Sequence, residues 1–187
     1  MTAFRYIPWE MLLLAVVLAA VASVVASLPA LRRRDARGAW TAVTRVLLAG
    51  AVLAVLVVTL TGGAATAGTG VNLVPGEGIR TALRNANSEL GLVNLVGNVV
   101  MFVPVGLLLP LATRLRFGGT VAACAALSVL VESVQLTLGR SLDVDDVLLN
   151  TLGGVVGAVL GLGLLRLFRP GRGQRSSTAA KARSTGV

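Results

Sequence analysis

Histidine is absent from the 187 residues of this chain, and cysteine occurs once, at Cys124. No imidazole is therefore available to ligate a metal or to serve a serine–histidine relay, and no internal disulfide can form. Charge is scarce as well: 13% of residues are Asp, Glu, Lys or Arg, against about 25% in a soluble protein. Aromatic residues make up 4%. With so few rings interleaved among the bases, the net charge of +9 does not read as a nucleic-acid surface, and no such partner is expected. There is no glycine-rich phosphate loop, and no serine or threonine stands out as a nucleophile, so catalysis finds no support and no cofactor is implied.

Apolar residues, by contrast, form 55% of the chain and fall into runs of about 20, each long enough to cross ~30 Å of hydrocarbon as a helix. Five spans are expected, over Met11–Leu31, Thr41–Thr61, Leu92–Thr113, Gly118–Leu138 and Val147–Phe168. The fold class is thus all-α, a polytopic transmembrane helix bundle. Residues 1–70 supply two helices joined by a basic turn. Residues 71–168 form a membrane domain of one long loop and three helices, and 169–187 a disordered basic tail. Within the loop, Thr81–Glu89 is expected as a short surface helix. Segment Met1–Glu10 is amphipathic, with Tyr6 and Trp9 suited to the interface, and the first apolar run reads as a retained span rather than a cleaved signal.

The placement of charge gives an orientation. With the N-terminus outside, 13 of the 17 basic residues fall on the cytoplasmic side, among them Arg32, Arg33, Arg34, Arg37, Arg114 and Arg116. That is a strong positive-inside bias, and the C-terminus is then cytoplasmic. Seven of the eight acids lie on the other side or in the outer half of a span, Asp35 being the exception. The expected location is a membrane facing the cytoplasm on its basic side, with membrane lipids as partners and a working face turned outward.

Polar residues inside the apolar runs are costly unless paired or facing a wet cavity, so they mark candidate sites. At 1.5 Å rise per residue, Asn98 and Glu132 each lie roughly 9 Å below the outer boundary of their spans. Asn94, Gln135 and Asn150 lie at roughly 3–5 Å. Asn94 and Asn98 are spaced i, i+4; Ser128, Glu132, Gln135 and Gly139 share a face, as do Asp143, Asp146, Asn150 and Gly153 if the last helix begins early. One polar layer across three helices is the expectation, with Arg140, Asp143, Asp145 and Asp146 in the connecting turn. Gly153, Gly157 and Gly161 form a small-residue stripe that admits another backbone, in this chain or in a homo- or hetero-oligomer.

Two uses of such a layer stand side by side. As structural glue, Arg140 would neutralise one aspartate and Glu132 would be bonded to an asparagine. As a site, Glu132 would give or take a proton, and Asp143, Asp145 and Asp146 would gather a hard cation or grip an amine. The number of polar groups at one level exceeds what a clamp requires, which favours a ligand or proton site. The two functional classes are a non-enzymatic binder of an amphipathic or lipid-linked molecule, and a small proton-coupled transporter, flippase or membrane enzyme working through Glu132.

In order along the chain stand Asn94-Leu-Val-Gly97-Asn98, Phe102-Val-Pro104-Val-Gly106, Glu132-x-x-Gln135, Arg140-x-x-Asp143-x-x-Asp146 and Asn150-Thr-x-Gly153-Gly154, preceded by Asn72-Leu-Val-Pro75. Together they resemble the VanZ-like family of bacterial membrane proteins, over about Val71–Gly163. The resemblance implies a polytopic envelope protein without an established reaction. The family's namesake confers low-level resistance to the glycopeptide teicoplanin without altering peptidoglycan precursors. It also implies that the motif positions matter, so that Asn94, Asn98, Glu132, Gln135, Arg140, Asp143, Asp146 and Asn150 are the candidate ligand-binding or proton-relay residues. A catalytic residue is not among them.

Overall fold

The hydrophobic runs become helices because hydrocarbon offers the backbone no hydrogen-bond partner, and only a helix satisfies every peptide group within one segment. The computed structural model describes residues 9–61, 71–84 and 89–167. Among them lie α1 (Trp9–Arg32), α2 (Ala36–Thr61), β1 (Val71–Asn72), α3 (Glu77–Arg84), α4 (Glu89–Thr113), α5 (Phe117–Thr137), β2 (Leu142–Asp143) and α6 (Val144–Leu167). The amphipathic segment before Trp9, the Gly/Thr-rich stretch 62–70 and the basic tail 169–187 lie outside the described residues.

Among the described residues, four helices are long and apolar enough to span a membrane: Ala36–Leu60, Gly91–Thr113, Phe117–Thr137 and Val144–Leu167. The remaining expected span corresponds to α1, 24 residues long, whose apolar stretch over the described side chains is Val17–Arg32. An all-α bundle is the result. The short helix of the loop differs from expectation, running over Glu77–Arg84 instead of Thr81–Glu89. Its start is set by a cap contributed from far away in the sequence, described below, which no local signal announces. Residues 85–88 of the expected helix fall outside the described part.

α1 and α2 form a hairpin. Arg34 adopts a left-handed conformation (φ 55°) just past α1, and Asp35 Oδ1 accepts the Gly38 amide at 3.0 Å, an N-cap for α2. α2 lies against α4, α4 against α6, and α6 against α5. The α4–α6 pair runs parallel and very close. A Cβ added at Gly153, Gly157 or Gly161 would collide with the carbonyl oxygen of Val99, Val103 or Leu107 respectively, and one at Gly106 with that of Gly154. The glycine stripe of α6 is thus filled by α4 of the same chain. α4 continues through Pro104 and Pro110.

Burial is inverted relative to a soluble protein. At most 33% of any spanning window is buried, and valines and leucines cover the outside. A small apolar core of Val55, Phe102, Val105, Cys124 and Val131 joins α2, α4 and α5. Much of what else is buried is polar: Thr120, Ser128, Glu132, Gln135, Asp145 and Asn150. A bundle with an apolar exterior and polar groups turned inward suits lipid as its solvent. It describes a multi-pass membrane protein.

Candidate functional site

The chain order brings the C-terminal ends of α2 and α5 and the N-terminal ends of α4 and α6 to one end of the bundle, with α3 beside them. Charges are sorted by helix polarity there. Asp143 caps α6: its Oδ1 accepts the Asp145 amide at 2.9 Å, and Asp145 and Asp146 occupy the first turn. Carboxylates belong at that end because the free N–H groups carry a partial positive charge. Glu132, 3% exposed on α5, reaches across so that its Oε2 accepts the amide of Asp143 at 3.3 Å.

The complementary arrangement serves α2. The Thr59 carbonyl lies in the last turn of that helix, where carbonyls lack partners within the helix. Gln135 Nε2 donates to it at 2.9 Å and Arg140 Nη1 at 2.6 Å. Arg140 was expected to neutralise an aspartate if the layer were structural glue. Instead its guanidinium takes the negative end of a helix, and among the described residues it forms no ion pair. The compensation is the same in kind, since a cation near a helix C-terminus is favoured.

Asp145 lies off the stripe of Asp143, Asp146 and Asn150, and is 2% exposed. Its two oxygens accept the amides of Gly76 (2.6 Å) and Ile79 (3.1 Å), capping α3. Asp143 completes the attachment: its Oδ1 accepts from Asn72 Nδ2 at 3.3 Å, and the two residues are paired in a short parallel bridge, Val71 with Leu142 and Asn72 with Asp143. Gly78 lets both carboxylates approach, for a Cβ there would stand 2.8 Å from Asp143 Oδ2 and 3.1 Å from Asp145 Oδ2. The 71–84 segment is therefore pinned to the mouth of the bundle by the start of α6.

Deeper in, Asn98 Nδ2 on α4 donates to Asp146 Oδ1 at 2.5 Å, and Asn150 Nδ2 on α6 donates to Ser128 Oγ on α5 at 2.9 Å. Of the eight expected residues, seven stand in this connected region: Asn98, Glu132, Gln135, Arg140, Asp143, Asp146 and Asn150. Asn94 does not join them. It lies exposed on α4, a turn above the level at which Gly153 draws α4 and α6 together, where no neighbour covers it. The three aspartates also diverge, each to its own partner, and among the described residues no three acidic or cysteine side chains are grouped to hold a metal.

Three further participants stand outside the eight expected residues. Thr59 contributes a main-chain oxygen, for which no residue type is a signal. Asp145 is expected in the connecting turn, gathering a cation or an amine with Asp143 and Asp146, but its role as the cap of α3 has no signal in the sequence. Asn72 was visible only as part of a motif. Beside this network, Asn72, Glu77, Gly78, Thr81 and Gly91 line a shallow groove of about 640 Å³. Asn98, Asp143 and Asp146 are half-buried, whereas Glu132, Gln135 and Asn150 are closed off. The arrangement is a set of hydrogen-bonded groups at one end of the bundle, with an open flank.

No curated protein and no solved structure matches the chain. A family model described as VanZ/LLP1 matches residues 36–168. The matched stretch takes in α2 as well as the loop and the last three helices, which agrees with the Thr59 carbonyl holding Gln135 and Arg140. With most of its length covered by that match, and with the ordered polar motifs meeting at one end of an apolar bundle, the chain belongs to the VanZ-like family.

Proposed function

We propose that this VanZ-like membrane protein resides in a bacterial cytoplasmic membrane with its polar end facing the outer leaflet, where it binds an amphipathic or lipid-linked ligand. The observation that carries the proposal is the half-buried Asn98–Asp146 pair beside Asp143, next to the groove lined by Asn72, Glu77 and Thr81. Polar groups with one accessible flank, at the depth where headgroups meet acyl chains, suit a molecule that is itself polar at one end. The basic residues at the opposite end of the bundle, Arg32, Arg33, Arg114 and Arg116, favour a cytoplasmic position for that end and so support the orientation. A contribution to glycopeptide (teicoplanin) tolerance follows from the family and is proposed by analogy alone.

The test is purification in mild detergent followed by mass spectrometry of bound lipids, for the wild type, Asp146→Asn and Glu132→Gln. A discrete lipid or lipid-linked species retained by the wild type and lost from Asp146→Asn, at equal protein yield, is the expected result. A lipid profile matching the bulk membrane in all three proteins would overturn the proposal. In cells, glycopeptide susceptibility should shift in parallel with ligand retention.

A further inference from the structure

Asn150 is 2% exposed, its Nδ2 donates to Ser128 Oγ, and its Oδ1 has no hydrogen-bond partner. Natural interiors rarely leave an amide oxygen bare, because its lost hydration is not repaid. The surroundings indicate what would satisfy it. Asp146 lies one turn above Asn150 on α6, and Glu132 one turn above Ser128 on α5, each at i−4 or i+4 on the same helical face. Since Asn150 and Ser128 are bonded across the helix pair, the four side chains make two rungs. Carboxylates form one rung, and an amide and a hydroxyl form the other.

The upper rung contains no ion pair among the described residues; its positive potential comes from the first turn of α6 and, without direct contact, from Arg140. Among the described residues neither Glu132 nor Asp146 has an ion-pair partner, and Arg140 is directed to the Thr59 carbonyl. The donors that do reach the rung, Asn98 Nδ2 and the Asp143 amide, are single neutral groups. A carboxylate pair without an ion-pair partner, beside an unsatisfied buried oxygen, is a set of hard oxygen donors suited to a cation. A divalent metal would ask for a grouping of three or more acids, which the described residues do not contain. A singly charged ion needs fewer, and neutral amide and hydroxyl oxygens serve it well.

We propose that a monovalent cation, Na⁺ being the probe, binds between the two rungs with Glu132, Asp146, Asn150 Oδ1 and Ser128 Oγ as its oxygen donors. The ion would neutralise the carboxylates and give Asn150 Oδ1 the partner it lacks. It would also brace α5 against α6 below the level where the amphipathic ligand is proposed to bind. The cation site stands on the orphaned amide and does not depend on that ligand.

Full-length protein in detergent is unfolded thermally, followed by circular dichroism, while NaCl is titrated against choline chloride at constant ionic strength. A saturable rise in Tm of roughly 5 °C with Na⁺ and none with choline is expected. The rise should vanish in Asn150→Val and in Glu132→Gln, two changes on different helices. Identical wild-type melting curves in the two salts would overturn the proposal, and would do so without recourse to any variant. Bound lipid is measured on the same preparations. A Na⁺-dependent Tm without a retained lipid would uphold the cation site while overturning the ligand proposal, and a retained lipid with a salt-indifferent Tm would do the reverse.

Discussion

Asn98 on α4 donates its amide hydrogen to Asp146 on α6, joining positions 48 residues apart at the entrance to the tightest helix pair of the bundle. Below it the α6 glycines lie against the carbonyls of Val99, Val103 and Leu107. The close approach supplies dispersion contact, and the polar bond selects the register in which that contact occurs. A double-mutant cycle on Asn98→Leu and Asp146→Leu, read by denaturant stability in mixed micelles, should return a coupling of about 0.6–2 kcal/mol. Strict additivity would show that the bond is incidental to the packing.

Glycines of α6 should differ sharply in what they tolerate. A Cβ at Gly157 would meet the Val103 carbonyl oxygen and stand 2.6 Å from the Leu107 amide nitrogen, both main-chain atoms that cannot step aside. Gly157→Ala should destabilise by about 1–3 kcal/mol. At Gly163 no atom lies within 4 Å of the added carbon. Gly163→Ala should be neutral or stabilising by up to about 1 kcal/mol through backbone entropy. Equal melting temperatures for the two variants would contradict the α4–α6 packing.

The attachment of α3 depends on Asp145. Replacing it by alanine removes the acceptors of the Gly76 and Ile79 amides, at about 1–2 kcal/mol by analogy with other helix caps. The loss should be local. Hydrogen exchange over Gly76–Arg84 should accelerate while exchange in α4 and α6 stays slow. Unchanged protection of α3 amides would mean that the Asn72–Asp143 bridge suffices alone.

Gln135 and Arg140 share one acceptor, the Thr59 carbonyl. Either donor satisfies it, so Gln135→Leu and Arg140→Met should each be mild. Together they leave a helix-end carbonyl bare and separate α2 from α5. The double variant should lose about 1–3 kcal/mol more than the sum of the singles. Additive effects in thermal unfolding would argue against a shared acceptor.

Orientation can be read with thiol chemistry because Cys124, the single cysteine, is fully buried. In a Cys124→Ala background, Thr81→Cys and Ser141→Cys occupy exposed positions at the polar end, and Thr113→Cys an exposed position at the other. A membrane-impermeant maleimide should label the first two in intact cells and the third only after permeabilisation. The opposite pattern would invert the proposed topology.

Helix α5 shows how far the sequence reached. Its length, and the shared face of Ser128, Glu132 and Gln135, follow from apolar content and the 3.6-residue period, and all three side chains are buried. The same arithmetic failed for Asn94. Depth along a helix is a sum of rises, whereas azimuth depends on which neighbour the helix turns toward. At the level of Asn94 the glycine contacts that draw α6 onto α4 have not yet begun. Arg140 illustrates a different limit, since its partner is a carbonyl that every residue possesses.

From the amino-acid order alone came the apolar helices, the basic and acidic ends, and the level at which polar groups gather. Hydrocarbon allows a spanning segment few alternatives to a helix, and charge is excluded from its centre. Tertiary structure alone decided the partners: Asp145 to the amides of α3, Arg140 and Gln135 to Thr59, Asn98 to Asp146, and Asn150 with one oxygen unanswered. Those choices rest on helix tilt and rotation, which are set by packing of small residues against distant main chain and leave no local trace in the sequence.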